Sequence, residues 1–210
     1  MKAVISDFGG VLTTPLEPSI AGYYERTGIS LQDLGLALAA IEATDGANPL
    51  SELESGRLSE AGFLAALGER LTERLGRPVD LNRFPEQLFA GLAANEPFVA
   101  YMREVRERGY RMAICTNNVR EWSERWQAIV PVAEIFDVIV DSSFVGVRKP
   151  DPRIYELVLG ELGVEAADAV FIDDLEVNCA AAAELGMHAV WFRSTEQAMA
   201  DVEAALDGHP

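Results

Sequence analysis

Five short apolar runs, spread along a chain of 210 residues, constrain this sequence more than any other feature. They are residues 2–6 (KAVIS), 110–115 (YRMAIC), 137–140 (DVIV), 169–172 (AVFI) and 188–192 (HAVWF). Each is nearly continuous in apolar residues, which is the pattern of a strand buried on both faces. Helix-period segments separate the later runs. In 151–162, Asp151 is placed to cap, Pro152 takes the first helical position, and Gly163 supplies the stop. Ile154, Leu157, Val158 and Leu162 make the expected inward stripe. Residues 176–185 and 195–206 also read as helices.

This alternation predicts an α/β fold with a Rossmann-like parallel five-stranded sheet and helices on both faces. The exception is the stretch from about 14 to 109, which reads as helical throughout and holds no strand pattern. Ser30 and Asp33 open one helix over 30–42. Ser59 caps another over 59–75, with Leu64, Leu67, Leu71 and Leu75 at helical spacing. Residues 97–108 read as the crossover helix back to the sheet. The chain therefore divides into an α/β core, 1–14 and 91–210, and a helical cap, 15–90, inserted after the first strand. A cap in that place overhangs the carboxyl edge of the sheet, where open α/β sheets bind ligands.

Bulk charge narrows the partners. Against 34 acids stand 17 bases, a net charge of −17. Such a surface repels nucleic acid and anionic membranes, and repels an anionic substrate unless the site carries its own positive charge. No apolar run approaches the roughly 18–20 residues that span a bilayer. The start, MKAVISDFGG, is interrupted by Asp7 too early to be a signal peptide, so a cytoplasmic location is expected. Cys115 and Cys179 lack metal-ligand spacing and read as reduced core thiols. Trp122 and Trp126, at i and i+4, read as core rather than as an interface; oligomeric state stays open.

Four strand ends carry polar signatures. The first run ends in Asp7 followed by Phe-Gly-Gly, and the second in Thr116-Asn117-Asn118. Arg148 and Lys149 follow the third, and Asp173 and Asp174 close the fourth, with Asn178 four residues on. Singly, each has a plain explanation: a turn acid, a helix cap, a solvated cation, a helix entry. In a parallel sheet, however, all four lie on one edge and converge. Carboxylates from two strands suit Mg²⁺, a hard cation that completes its shell with water and phosphate oxygens. Lys149, Thr116 and the main-chain N–H groups of the glycine and asparagine turns suit the phosphate of a small-molecule substrate. Lysine and metal together give an acidic protein a positive pocket.

In order and spacing, D-x-G-G-V-L, T-N, R-K-P and F-I-D-D resemble the haloacid dehalogenase-like superfamily of phosphohydrolases. FGGVL, the cap segment ESGRLSEAGF (54–63) and RKPDPRIY are more closely similar to its sugar-phosphate phosphatase-like and epoxide-hydrolase N-terminal phosphatase branch. The resemblance implies that Asp7 is the nucleophile and, with the Gly9 carbonyl and Asp174, a Mg²⁺ ligand. Asp173 is implied as a second-rank ligand or support, and Asn178 as an outer partner of the metal. It implies that Thr116, Asn117, Gly10 and Lys149 hold the phosphoryl group. Arg148 receives no role and reads as a surface cation. Most members place a second Asp two residues after the nucleophile, as general acid; here that residue is Gly9. Glu17, Tyr23, Tyr24 and Asp45 of the cap are candidate substitutes, with no choice among them. The leading expectation is a Mg²⁺-dependent phosphatase for a small metabolite, sugar phosphates included. The alternatives are a nearly inactive binding or regulatory member and a 2-haloacid dehalogenase.

Overall fold

The computed structural model describes residues 1–208, except the side chains of Glu17, Tyr24 and Glu25. Its strands are β1 (Ala3–Ser6), β2 (Arg111–Thr116), β3 (Val138–Asp141), β4 (Ala169–Asp173) and β5 (His188–Trp191). All pairings are parallel, in the order β3-β2-β1-β4-β5. Between β1 and β2 run helices α1 (Glu17–Thr27), α2 (Leu31–Asp45), α3 (Pro49–Glu54), α4 (Glu60–Leu75), α5 (Phe84–Phe89) and α6 (Glu96–Glu107). Short helices α7 (Ser123–Gln127), α8 (Val132–Ile135) and α9 (Ser142–Val145) flank β3. Then α10 (Pro152–Leu162), α11 (Glu176–Glu184) and α12 (Thr195–Asp207) alternate with the last strands.

Successive residues of a strand point to opposite faces, so apolar runs bury two layers at once. On one face Val4, Met112, Ile114, Val170 and Ile172 meet Phe98 and Met102 of α6 and Val202 of α12. On the other, Ile5, Ala113, Cys115 and Phe171 meet Ile154, Tyr155, Val158 and Leu162 of α10. Leu157 departs from the expected stripe: it is 41% exposed, and Tyr155 is buried in its stead. Tyr155 satisfies its hydroxyl by donating to the Asn178 carbonyl at 3.0 Å, which is what lets a tyrosine lie in that layer. Trp126 is core, packed at a tilt against Phe8 with ring centroids 4.7 Å apart.

The insertion has an apolar cluster of its own, with Ile29, Ile41, Leu53, Phe63, Leu67 and Leu71. Ser30 and Asp33 form a reciprocal capping box on α2, and Ser59 accepts from the Gly62 N–H at the head of α4. The two chains linking insertion and sheet run antiparallel, with Thr14 N–H donating to the Ala93 carbonyl and Asn95 N–H to that of Leu12. One residue from beyond β2, Val119, is buried in the insertion's cluster. Among the described residues, no helix is long and apolar enough to cross a membrane.

Candidate active site

Strand order reverses at β1. Its two neighbours are β2 and β4, so the connections leaving its carboxyl end diverge and open a crevice there. Asp7 follows β1, and Asp173 ends β4 beside it with Asp174 just beyond, because Ser6 pairs in register with Ile172. A carboxylate oxygen from each of the three acids lies within 4.8 Å of the others. Lys149 reaches into this group from beyond β3. Its Nζ donates to Asp7 Oδ1 at 2.7 Å and to Asp173 Oδ2 at 2.6 Å, with the side chain 1% exposed.

Three carboxylates around one ammonium leave an excess of negative charge where water is largely excluded, the donor set a hard divalent cation fits. The pKa values follow from that crowding. Burial pushes the Asp7 carboxyl up to about 7, Lys149 opposing it and Asp173 and Asp174 adding to it. Burial also works against the Lys149 ammonium, but the two carboxylates outweigh it and raise its pKa. The same apolar setting pushes the Cys115 and Cys179 thiols up to about 12, so neither is a nucleophile at neutral pH.

The two β4 acids differ. Asp173 is fully buried, and besides Lys149 it accepts from Asn178 Nδ2 and the Leu175 N–H, both at 2.9 Å. Protein donors therefore engage both of its oxygens. Asp174 is half-buried and lies against Gly10, where a Cβ would stand 2.5 Å from its Oδ2. Gly10 also has φ +75°, so glycine is required twice over.

The Gly10 N–H and the Asn117 side chain both have partners within the protein. The Gly10 N–H donates to Thr13 Oγ1 at 3.1 Å, within its own turn. The Asn117 side chain is occupied by Lys149: its Oδ1 accepts from the Lys149 N–H at 2.8 Å and its Nδ2 donates to the Lys149 carbonyl at 3.0 Å. Asn117 thus pins the lysine's main chain. Thr116 is buried at the carboxyl end of β2, in register with Asp141.

Gly9 does not have positive φ, and a Cβ there would meet only Leu16 Cδ1, at 3.7 Å. Of the candidate proton donors, Glu17 and Tyr24 have side chains outside the described residues. Tyr23 is buried in the insertion, edge-on to Phe84, and Asp45 is exposed at the end of α2.

Arg148 is not a free surface cation. Its Nε donates to Glu54 Oε2 of α3 at 2.6 Å. Sequence reasoning missed this pair and Thr13. The available signals were the acid opening ESGRLSEAGF and a hydroxyl three residues beyond a tight glycine turn.

A parallel sheet with a helical insertion after β1, and an acid-lysine cluster at its switch point, defines a class of α/β hydrolases. The sequence pattern of the haloacid dehalogenase-like hydrolases matches residues 1–186, and the chain belongs to that family. It is 25% identical to bifunctional epoxide hydrolase 2 of Rattus norvegicus over 97% of this chain and 38% of that protein. It is 34% identical to a glyceraldehyde 3-phosphate phosphatase of Pyrococcus abyssi over 56% of this chain and 54% of that one. The chain spans about a fifth to two fifths of the first relatives it matches. In fold it resembles a HAD family enzyme of Bacteroides thetaiotaomicron solved as a magnesium complex, with TM-score 0.68, 22% identity, and 91% and 92% of the two chains covered.

Proposed function

We propose that the chain is a Mg²⁺-dependent phosphatase of a small phosphorylated metabolite, sugar phosphates among the class, working through an aspartyl-phosphate at Asp7. One observation carries the reading: the Lys149 ammonium bridges Asp7 and Asp173, with Asp174 completing a three-carboxylate cluster. Mg²⁺ would be held by Asp7, Asp174 and the Gly9 carbonyl, and would supply charge neutralisation between carboxylate and phosphate. Asp173, its oxygens already engaged, serves mainly to hold Lys149. The phosphatases among the relatives support the same reading, and the acids of β4 favour it over a dehalogenase.

Asp7 attacks phosphorus, a P–O bond to Asp7 forms, and the ester P–O bond breaks with its electron pair on the leaving oxygen. Water then attacks the phosphorus of the aspartyl-phosphate, releasing phosphate and restoring Asp7. Lys149 fixes the attacking oxygen and faces the transferring phosphoryl group, with the Thr116 hydroxyl beside it. Gly9 offers no proton at the place of the family's general acid, so the leaving oxygen takes its proton from water or from a group of the insertion. The cap is taken as 15–90 and the core as 1–14 with 91–210.

The test is phosphate release from a panel of phosphorylated metabolites with and without Mg²⁺. Asp7→Asn keeps size and removes the nucleophile, so release should fall to background while the melting curve stays cooperative. Near-native turnover by that variant refutes the mechanism.

A further inference from the structure

We propose that Arg148 and Glu54 are positioning residues for Lys149, forming a clasp by which α3 of the insertion fixes the main chain of that lysine. The proposal rests on Lys149 being a catalytic residue, as read above. Arg148 directly precedes Lys149. Its Nε is 2.6 Å from Glu54 Oε2 and its Nη1 is 3.3 Å from Ser51 Oγ, so two residues of one short helix grip one guanidinium. On the other side of the peptide, Asn117 holds both the N–H and the carbonyl of Lys149. The lysine's backbone is therefore tied on one side to the loop after β2 and on the other to the insertion.

The end of α3 is seated as well as paired. The Glu54 carbonyl accepts from Ser142 Oγ at 2.5 Å, and the same Ser142 Oγ accepts from the Asn118 N–H at 3.1 Å. Gly56, with φ +66°, lies so close to the Ser143 carbonyl that a Cβ would collide with it. Arg57 Nη1 donates to the Gly146 carbonyl at 3.2 Å. Val119, buried in the insertion's apolar cluster, closes the same seam. Glu54 is largely buried, and burial pushes its carboxyl up while Arg148 opposes; the pair is desolvated enough to hold its geometry. Lys149 Nζ must sit between two carboxylates at 2.6–2.7 Å, so a small drift of its backbone misplaces the charge.

The test uses Arg148→Met, which keeps an unbranched stem without charge or donors, together with Arg148→Lys and Glu54→Gln. The first readout is amide hydrogen exchange at Lys149, measured on the whole chain without substrate or metal. The second is kcat and KM for p-nitrophenyl phosphate with Mg²⁺. In Arg148→Met, exchange at Lys149 should quicken about tenfold or more while the amides of Ile5 and Ile172 in the sheet stay at native rates. The kcat should fall roughly 10- to 100-fold with little change in KM, and Arg148→Lys should recover part of both. If Arg148→Met does not fold, Glu54→Gln carries the same two readouts. Native exchange at Lys149 overturns the clasp, as does faster exchange with unchanged kcat, or quickening that extends equally to the sheet amides. If the native protein releases no phosphate, the phosphatase reading fails, and the clasp then stands or falls on the exchange at Lys149.

Discussion

Gly9 and Gly10 are neighbours, yet side chains added to them should act in opposite directions. Gly9 has no positive φ and its added Cβ meets only Leu16 Cδ1 at 3.7 Å, so the turn accepts a Cβ there without strain. Replacing glycine at such a position stabilises by about 0.4–1 kcal/mol through the unfolded chain, set against one more carboxylate beside Asp7. A positioned acid contributes roughly 10²–10⁴-fold to proton transfer. Gly9→Asp should therefore accelerate alkyl phosphates selectively and leave aryl phosphates, whose leaving oxygens need no proton, nearly unchanged. Gly10→Ala meets both penalties: left-handed backbone costs about 1–3 kcal/mol, and its Cβ would stand 2.5 Å from Asp174 Oδ2. Asp174 must then move, and activity should fall for every substrate. The assay is initial phosphate release across alkyl and aryl phosphates with Mg²⁺, plotted against leaving-group pKa. A steep native line that flattens in Gly9→Asp is expected. A flat native line with chemistry rate-limiting refutes the reasoning, because another group would already donate the proton.

Mg²⁺ should raise the melting temperature by binding the folded state, and Asp174→Ala should abolish most of that rise; an unchanged rise assigns the metal elsewhere. Asp173→Ala leaves the buried Lys149 with one carboxylate, and breaking a buried pair costs about 3–5 kcal/mol, readable by urea unfolding in EDTA. The Asp7 carboxyl is raised to about 7 in the metal-free fold, so between that value and its unfolded 3.8 the folded state holds the extra proton. Stability in EDTA should fall as pH rises through this window, then level, with the slope reduced in Asp7→Asn. An equal slope in both forms would mean the trend belongs to the acidic surface.

The sheet was legible because burial on both faces writes itself as a continuous apolar run, and each of the five runs became a strand within a residue or so. The convergence of Asp7, Lys149, Asp173 and Asp174 was legible for a related reason: in a parallel sheet, strand ends share one edge whatever the side chains do. Partner choice was not. Nothing in the local pattern indicated that Asn117 would hold the main chain of Lys149 or that the Gly10 N–H would donate to Thr13. Periodicity also could not decide between Leu157 and Tyr155 at the margin of one helical stripe. Burying Tyr155 depends on a carbonyl 23 residues away, and Arg148 depends on an acid 94 residues away. Such contacts follow from tertiary placement, which local pattern does not encode. They also explain how the site tolerates its own charge. Lys149 remains an ammonium at 1% exposure because Asp7 and Asp173 face it, and Asp173 can face it because Asn178 and the Leu175 N–H hold its other oxygen. The charge balance around Asp7 thus depends, through Lys149 and Asp173, on Asn178 and the Leu175 N–H, neither of which contacts Asp7 itself.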